Sequence, residues 1–155
     1  MIIQILVGPS GSGKSRHAAE MKAKAHRQGL KLATCSTDDG MYNEEGEYEF
    51  HPSKLTAAHG GCVKKFIDLC QKGEMNTVIV DNTNCSIAEV APYIAIAQAY
   101  EHKVYVLVWN PDNWKEYAER NVHDAPRKTI YYMSRHLKQM LDEWKPWWPS
   151  WEFIN

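Results

Sequence analysis

The stretch Gly8-Pro9-Ser10-Gly11-Ser12-Gly13-Lys14-Ser15 constrains this chain more than any other, because it matches G-x-x-x-x-G-K-[ST] in full. It follows IIQILV at 2–7, an apolar and β-branched run that reads as a buried parallel strand. It opens a helical pattern over 14–28, which Gly29 stops. Strand, glycine loop and helix in that order make a cradle for phosphate. Glycines let successive backbone N–H groups turn inward, and the positive N-terminus of the helix faces the same anion. Lys14 then serves the β- and γ-phosphates, and the Ser15 hydroxyl a Mg²⁺ ion. Gly8, Ser10, Gly11, Ser12, Gly13 and Arg16 complete the candidate ATP site. The plainer alternative is a glycine-rich turn with no ligand.

Strand patterns recur at 30–36, 76–84 and 103–110, separated by helical patterns at 51–73 and 86–102, with Pro92 a potential kink in the latter. Residues 38–50 read as a polar loop holding a small hairpin. Helical pattern resumes from Pro111 to Glu143, broken by NVHDAPR. Strands alternating with helices make βαβ units, hence an α/β fold with a parallel sheet covered on both faces. The 155 residues suit one domain, 1–155, with no second domain or low-complexity linker.

In such a sheet, ligands bind beyond the carboxyl ends of the strands. The other three strands run into STDD at 36–39, DNTN at 81–84 and WNPDN at 109–113. Carboxylates and amides there suit Mg²⁺ and a hydroxyl acceptor. Asp38 or Asp39 is the candidate general base, with Asp38 preferred. Asp81 suits the Mg²⁺ shell or the acceptor, and so does Asp38 for the metal. Asp39, Asn82, Thr83 and Asn84 are candidate acceptor-binding groups. The plainer readings are a helix cap for STDD and an Asx-turn for DNTN.

Residues 120–138 are rich in Lys and Arg and contain a single acid, Asp124. Phosphoryl transfer uses positive charge on the moving oxygens, often a mobile arginine. Arg120 is the first candidate and Arg127 the second, on a helical lid spanning about 114–135 with a turn at Pro126. A solvated basic helix face is the alternative.

The formal net charge of −1 excludes a strong non-specific nucleic-acid binder, so any such contact is a local patch. Cys35, Cys62, Cys70 and Cys85 form no C-x-x-C pair and fit reduced thiols in a cytoplasmic protein. The N-terminus has neither signal-peptide nor membrane-span character. The tail at about 144–155 holds Trp144, Trp147, Trp148 and Trp151. These suit either base stacking or, more plainly, packing across the sheet. His51 and His59 flank the acidic loop and suit either the acceptor or a surface role.

GPSGSGKS, STDD, DNTN and RNVHDAP, in this order, resemble the 5′-kinase module of polynucleotide kinases. They also resemble small P-loop proteins described as AAA-type or ATP-binding, and their zeta-toxin-like kinase relatives. HPSKLTAAHGGC and APY are similar to the AAA-type group too. The resemblance spans residues 2 to about 135. It implies a P-loop kinase fold with about four parallel strands in the order 2-3-1-4 and a helical lid. It also implies ATP with Mg²⁺ at Lys14 and Ser15, activation of an acceptor hydroxyl by Asp38, and Arg120 acting from the lid. The implied acceptor, and partner, is the 5′-OH of DNA or RNA.

Three departures bear on that acceptor. Met41 stands where the polynucleotide kinases carry an arginine that grips an acceptor phosphate. Arg16 replaces a usual threonine, and Asp124 a frequent glycine. Three functions therefore compete: a polynucleotide 5′-kinase, a kinase of a small hydroxyl metabolite, nucleoside or modified base, and a nucleotide-binding ATPase or switch.

Overall fold

The computed structural model describes residues 1–122 and 125–154. Five strands form one sheet: β1 Ile2–Val7, β2 Leu32–Cys35, β3 Thr77–Asp81, β4 Lys103–Trp109 and β5 Trp151–Ile154. Their order is β2-β3-β1-β4-β5, and every neighbouring pair is parallel. The first four strands stand in the expected order 2-3-1-4. The fifth corrects the expected count. Part of the tryptophan-rich tail pairs with β4, Val106 opposite Trp151 and Trp109 opposite Ile154. Four residues so soon after Pro149 are too few for a period-2 pattern to reveal a strand.

The helices are α1 Lys14–Arg27, α2 Leu55–Lys72, α3 Ile87–Ala99, α4 Trp114–Glu119 and α5 Arg127–Asp142. Each ends on ordinary chemistry. Gly73, at φ 64°, caps α2 in the left-handed region, and Gly29 turns the chain after α1 at φ 67°. The Ser86 N–H donates to the Glu89 carboxylate at 3.0 Å at the start of α3. Pro92 lies inside α3 without ending it, and the buried Val90, Tyr93, Ile94 and Ala97 hold that helix to the sheet.

The sheet is covered on both faces, which is why its central strands are mostly apolar. On one face Ile3, Ile5, Val7, Val80 and Val108 pack with Phe66 of α2, Tyr93 of α3 and Leu137 of α5. Phe66 and Tyr93 meet edge to face, centroids 5.2 Å apart. Truncating a buried phenylalanine such as Phe66 costs roughly 3–5 kcal/mol. On the other face Leu6, Ile79, Leu107 and Trp109 pack with Ala18 of α1, Tyr117 of α4 and Ile130 of α5. Trp144, Trp148 and Trp151 pack against the first cluster, as the plainer reading of the tail expects, while Trp147 is 71% exposed. All four cysteines are buried and free. Among the described residues no helix is long and apolar enough to cross a membrane.

Candidate active site

The glycine loop joins β1 to α1 at the carboxyl edge of the sheet. Gly13, at φ 103°, sits at the N-cap of α1; no side chain caps that helix and its first turn holds no acid. An uncapped helix start of this kind favours an anion. Two glycines are sterically required. A Cβ on Gly11, itself at φ 78°, would lie 2.1 Å from the Tyr117 carbonyl oxygen, and one on Gly8 2.9 Å from Trp109 Cβ. The Lys14 ammonium donates to the Pro9 carbonyl at 2.9 Å and to Ser12 Oγ at 3.3 Å. Burial holds this ammonium below its usual range, opposed by Cys85, Asp81 and Asp38 nearby. A desolvated cation facing two carboxylates, in a loop of backbone donors, is matched to a ligand of high negative charge.

Arg120, just past α4, ties that helix to this loop. Its Nε donates to the Gly11 carbonyl at 2.8 Å, and its other nitrogens to the Ser12 carbonyl at 3.0 Å and the Glu116 carboxylate at 2.8 Å. Arg127 lies elsewhere, stacked over the Trp114 ring at 5.4 Å. Of the expected lid turn, His123 and Asp124 lie outside the described residues. Asn121 Nδ2 donates across it to the Ala125 carbonyl at 3.0 Å.

The paired aspartates separate. Residues Thr37–Gly40 form a 3-10 turn, begun by Ser36, whose hydroxyl accepts from the Asp38 N–H at 3.2 Å. Asp38 faces the same cavity as the glycine loop. Asp39 turns to Lys65, 2.8 Å away, and lines a second hollow of about 370 Å³ between this turn and α2. Burial alone would lower Lys65, yet the Asp39 contact holds it above its usual range.

Asn82 holds the turn in place. Its Oδ1 accepts from the Thr37 N–H at 2.8 Å and the Thr37 hydroxyl at 3.1 Å, and its Nδ2 donates to Tyr93 Oη at 3.2 Å. Burial pushes the Tyr93 phenol well above its ordinary range, so it stays a neutral donor, to Cys62 Sγ at 3.2 Å. Asn84 is buried, in the left-handed region at φ 49°, and its Nδ2 donates to the Leu6 carbonyl at 2.8 Å. That bond locks the end of β1 beside the contact of the Gly8 N–H with the Thr83 carbonyl at 2.9 Å. Both amides therefore brace the site from beneath.

The cavity holds about 760 Å³ and brings together Ser10, Gly11, Gly13, Lys14, Ser15, Arg16, Asp38, Asp81, Asn82, Thr83 and Arg120. Asp39, Asn84 and Arg127 are not among its lining. Sequence reasoning missed Tyr48, Phe50, Leu55, Glu89, Val122, Thr129 and Met133, which do line it. The hairpin over 41–50 carries Tyr48 inward, through the Tyr42–Tyr48 bridge and the Glu49 N–H to Met41 carbonyl bond at 2.7 Å. The Tyr48 hydroxyl donates to Asp38 Oδ1 at 3.3 Å. The aromatic residues Tyr48 and Phe50, two apart within an otherwise acidic loop, are the signal that could have found this wall. His59 lines the cavity; His51 instead pairs with Glu49 at 3.1 Å.

Residues 3–146 match the family model of the AAA domain. The chain belongs to this family. Among curated relatives of this AAA domain is NEDD4-binding protein 2 of Homo sapiens, 33% identical over 146 residues. That alignment covers 91% of this chain and 8% of the relative, so the chain spans a small part of that protein. A structure of the Pnkp1/Rnl/Hen1 RNA repair complex has a chain with TM-score 0.69 and 19% identity, covering 93% of this chain and 46% of that one. The APS kinase CysC of Mycobacterium tuberculosis, in complex with AMPPNP and APS, gives TM-score 0.50 and 13% identity, covering 90% and 96%. The AAA domain described here thus has the P-loop kinase fold.

The residues present fit ATP with a magnesium ion. Two glycines leave no room for side chains, Lys14 is buried beneath the loop, and the hard oxygens of Ser15, Asp38 and Asp81 line the same cavity.

Proposed function

We propose that this chain, a single domain over 1–155, is an ATP-dependent phosphotransferase that moves the γ-phosphate of ATP onto a 5′-hydroxyl of DNA or RNA. The observation that carries this reading is that the glycine loop and Asp38 line one cavity while Asp39 is committed to Lys65. The loop amides, Lys14 and Ser15 hold the phosphates, with Ser10, Arg16 and Arg120 at the rim. Ser15, with Asp81 or Asp38, would hold Mg²⁺, which when bound neutralises charge building on the phosphate oxygens. The Asp38 carboxylate accepts the proton of the acceptor hydroxyl. The hydroxyl oxygen bonds to the γ-phosphorus, the bond from that phosphorus to the β–γ bridging oxygen breaks, and ADP leaves with the electron pair. Asp81 and Thr83 flank the acceptor. The cytoplasm suits a chain whose four thiols are buried and free.

A second reading, transfer to a small hydroxyl metabolite or nucleoside, draws support from Met41. It is buried where the polynucleotide kinases use an arginine, so the acceptor side lacks that phosphate grip and offers Tyr48 and Phe50 instead. Incubation with γ-labelled ATP, Mg²⁺ and a panel of 5′-OH oligonucleotides and nucleosides tests both. Label on oligonucleotides supports the first reading and label only on nucleosides the second. Label released solely as free phosphate would mean an ATPase or switch and overturn both.

A further inference from the structure

The basic stretch of the lid is not used up by the cavity. Helix α5 has three faces. Ile130, Ser134 and Leu137 are buried against the sheet, and Thr129 and Met133 line the cavity. The remaining face carries Lys128, Tyr131, Tyr132 and Arg135, spaced i, i+3, i+4, i+7 and all exposed. No carboxylate occurs between Arg127 and Leu141. Cations and rings interleave on this face. Lys128 Nζ lies 5.7 Å from the Tyr132 centroid, and the Tyr131 ring lies 5.7 Å from Tyr132 and 5.0 Å from Trp114. Arg127 covers Trp114. Among the described residues, Glu116 is paired with Arg120 and Asp112 with Lys138.

This arrangement works against its own helix. α5 begins with two cations, no acid in its first turn and no side-chain cap. A helix start carries partial positive charge, so Arg127 and Lys128 are repelled there until an anion arrives. A regular polyanion answers that charge. Rings exposed beside the cations narrow its class, because unpaired bases can stack on them whereas a duplex keeps its base faces covered. We infer that the outer face of α5 binds an unpaired strand of nucleic acid, leading its end past Thr129 and Met133 into the cavity. The inference rests on the 5′-hydroxyl reading for what the strand is delivered to, though not for the binding itself. It also reconciles a chain of net charge −1 with a nucleic-acid substrate, since Lys128 and Arg135 lie on a stretch of helix that holds no carboxylate.

The test is fluorescence anisotropy of a labelled oligothymidylate with the full chain at several salt concentrations, beside transfer assays on a 5′-OH dinucleotide and the long strand. Tyr132→Ala should weaken binding of the long strand roughly tenfold, and Tyr132→Phe should restore it. The double variant Lys128→Gln/Arg135→Gln should flatten the log–log salt slope by about 1.4. Neither should alter transfer to the dinucleotide. Unchanged affinity and slope in these variants, or tighter binding of a DNA duplex or polyglutamate than of the single strand, would overturn the inference. If the variants lose strand binding as expected but no oligonucleotide accepts phosphate, this face stands and the kinase reading falls. If dinucleotide and long strand are phosphorylated with equal KM and the variants are silent, the reverse holds.

Discussion

The phosphate-loop wall of the cavity is made within one run of sequence, Gly8 to Ser15, whereas the wall carrying Asp38 is assembled from segments far apart in the chain. The first is rigid because glycines sit where nothing larger fits, at Gly8 and Gly11. The second is held by hydrogen bonds that involve side chains: the Thr37 N–H donates to Asn82 Oδ1, Tyr93 to Cys62, and Tyr48 to Asp38. A wall fixed by backbone sterics fails all at once. A wall fixed by separate polar contacts loosens by degrees, each worth about 0.5–1.5 kcal/mol net and more when its partner is left buried and unpaired.

That contrast orders the expected effects. Lys14→Ala should take transfer below detection, because the buried cation at the phosphates has no substitute; near-normal turnover would show that the loop is not the site. Asp38→Asn should cut kcat by about 10²–10⁴ with ATP affinity unchanged by calorimetry. Asp39→Asn should change kcat by less than about threefold, since it loses only a half-exposed pair with Lys65. Equal losses in the two variants would erase the distinction drawn between them. Asn82→Ala should cost roughly 1–3 kcal/mol of stability in denaturant titration and about tenfold in kcat, by releasing the Asp38 turn. Tyr48→Phe should lower kcat only a few-fold and leave stability unchanged, since its bond is solvent-accessible.

The smallest effect near neutral pH concerns the thiols behind both walls. Burial pushes Cys35 and Cys85 from an ordinary 9.0 up to about 12, and Cys70 to about 11. Raised thiols hold their protons longer in the folded state, so the stability they contribute is intact below about pH 9 and falls as pH climbs toward 12. Lys14, lowered by burial, acts in the opposite sense below its ordinary 10.5. In a Lys14→Ala background, which removes that opposing group, denaturant midpoints should decline above about pH 9. Cys35→Ala should flatten that decline.

The glycine-loop wall was legible in the sequence because it is local: strand, loop, lysine and helix lie within one window. The order of the first four strands followed from the resemblance. On the other wall the residue types were visible but not their directions. Asp38 and Asp39 are adjacent, and only the 3-10 turn sends one into the cavity and the other to Lys65. Asn84 reads like a ligand group at a strand end, yet its Nδ2 donates to the Leu6 carbonyl, a partner that no local pattern reveals. Tyr48 reaches Asp38 through a hairpin whose register depends on the antiparallel Tyr42–Tyr48 bridge. β5 needed β4 as a template, and four residues do not announce it.

The close approach of α4 to the glycine loop has a dynamic consequence. With the Tyr117 carbonyl lying where any side chain on Gly11 would go, and Arg120 bound to the carbonyls of Gly11 and Ser12, helix and loop cannot part without exposing three contacts together. Their amides should therefore exchange with solvent deuterium in one shared opening, and whatever quiets the loop will quiet the helix at the same rate.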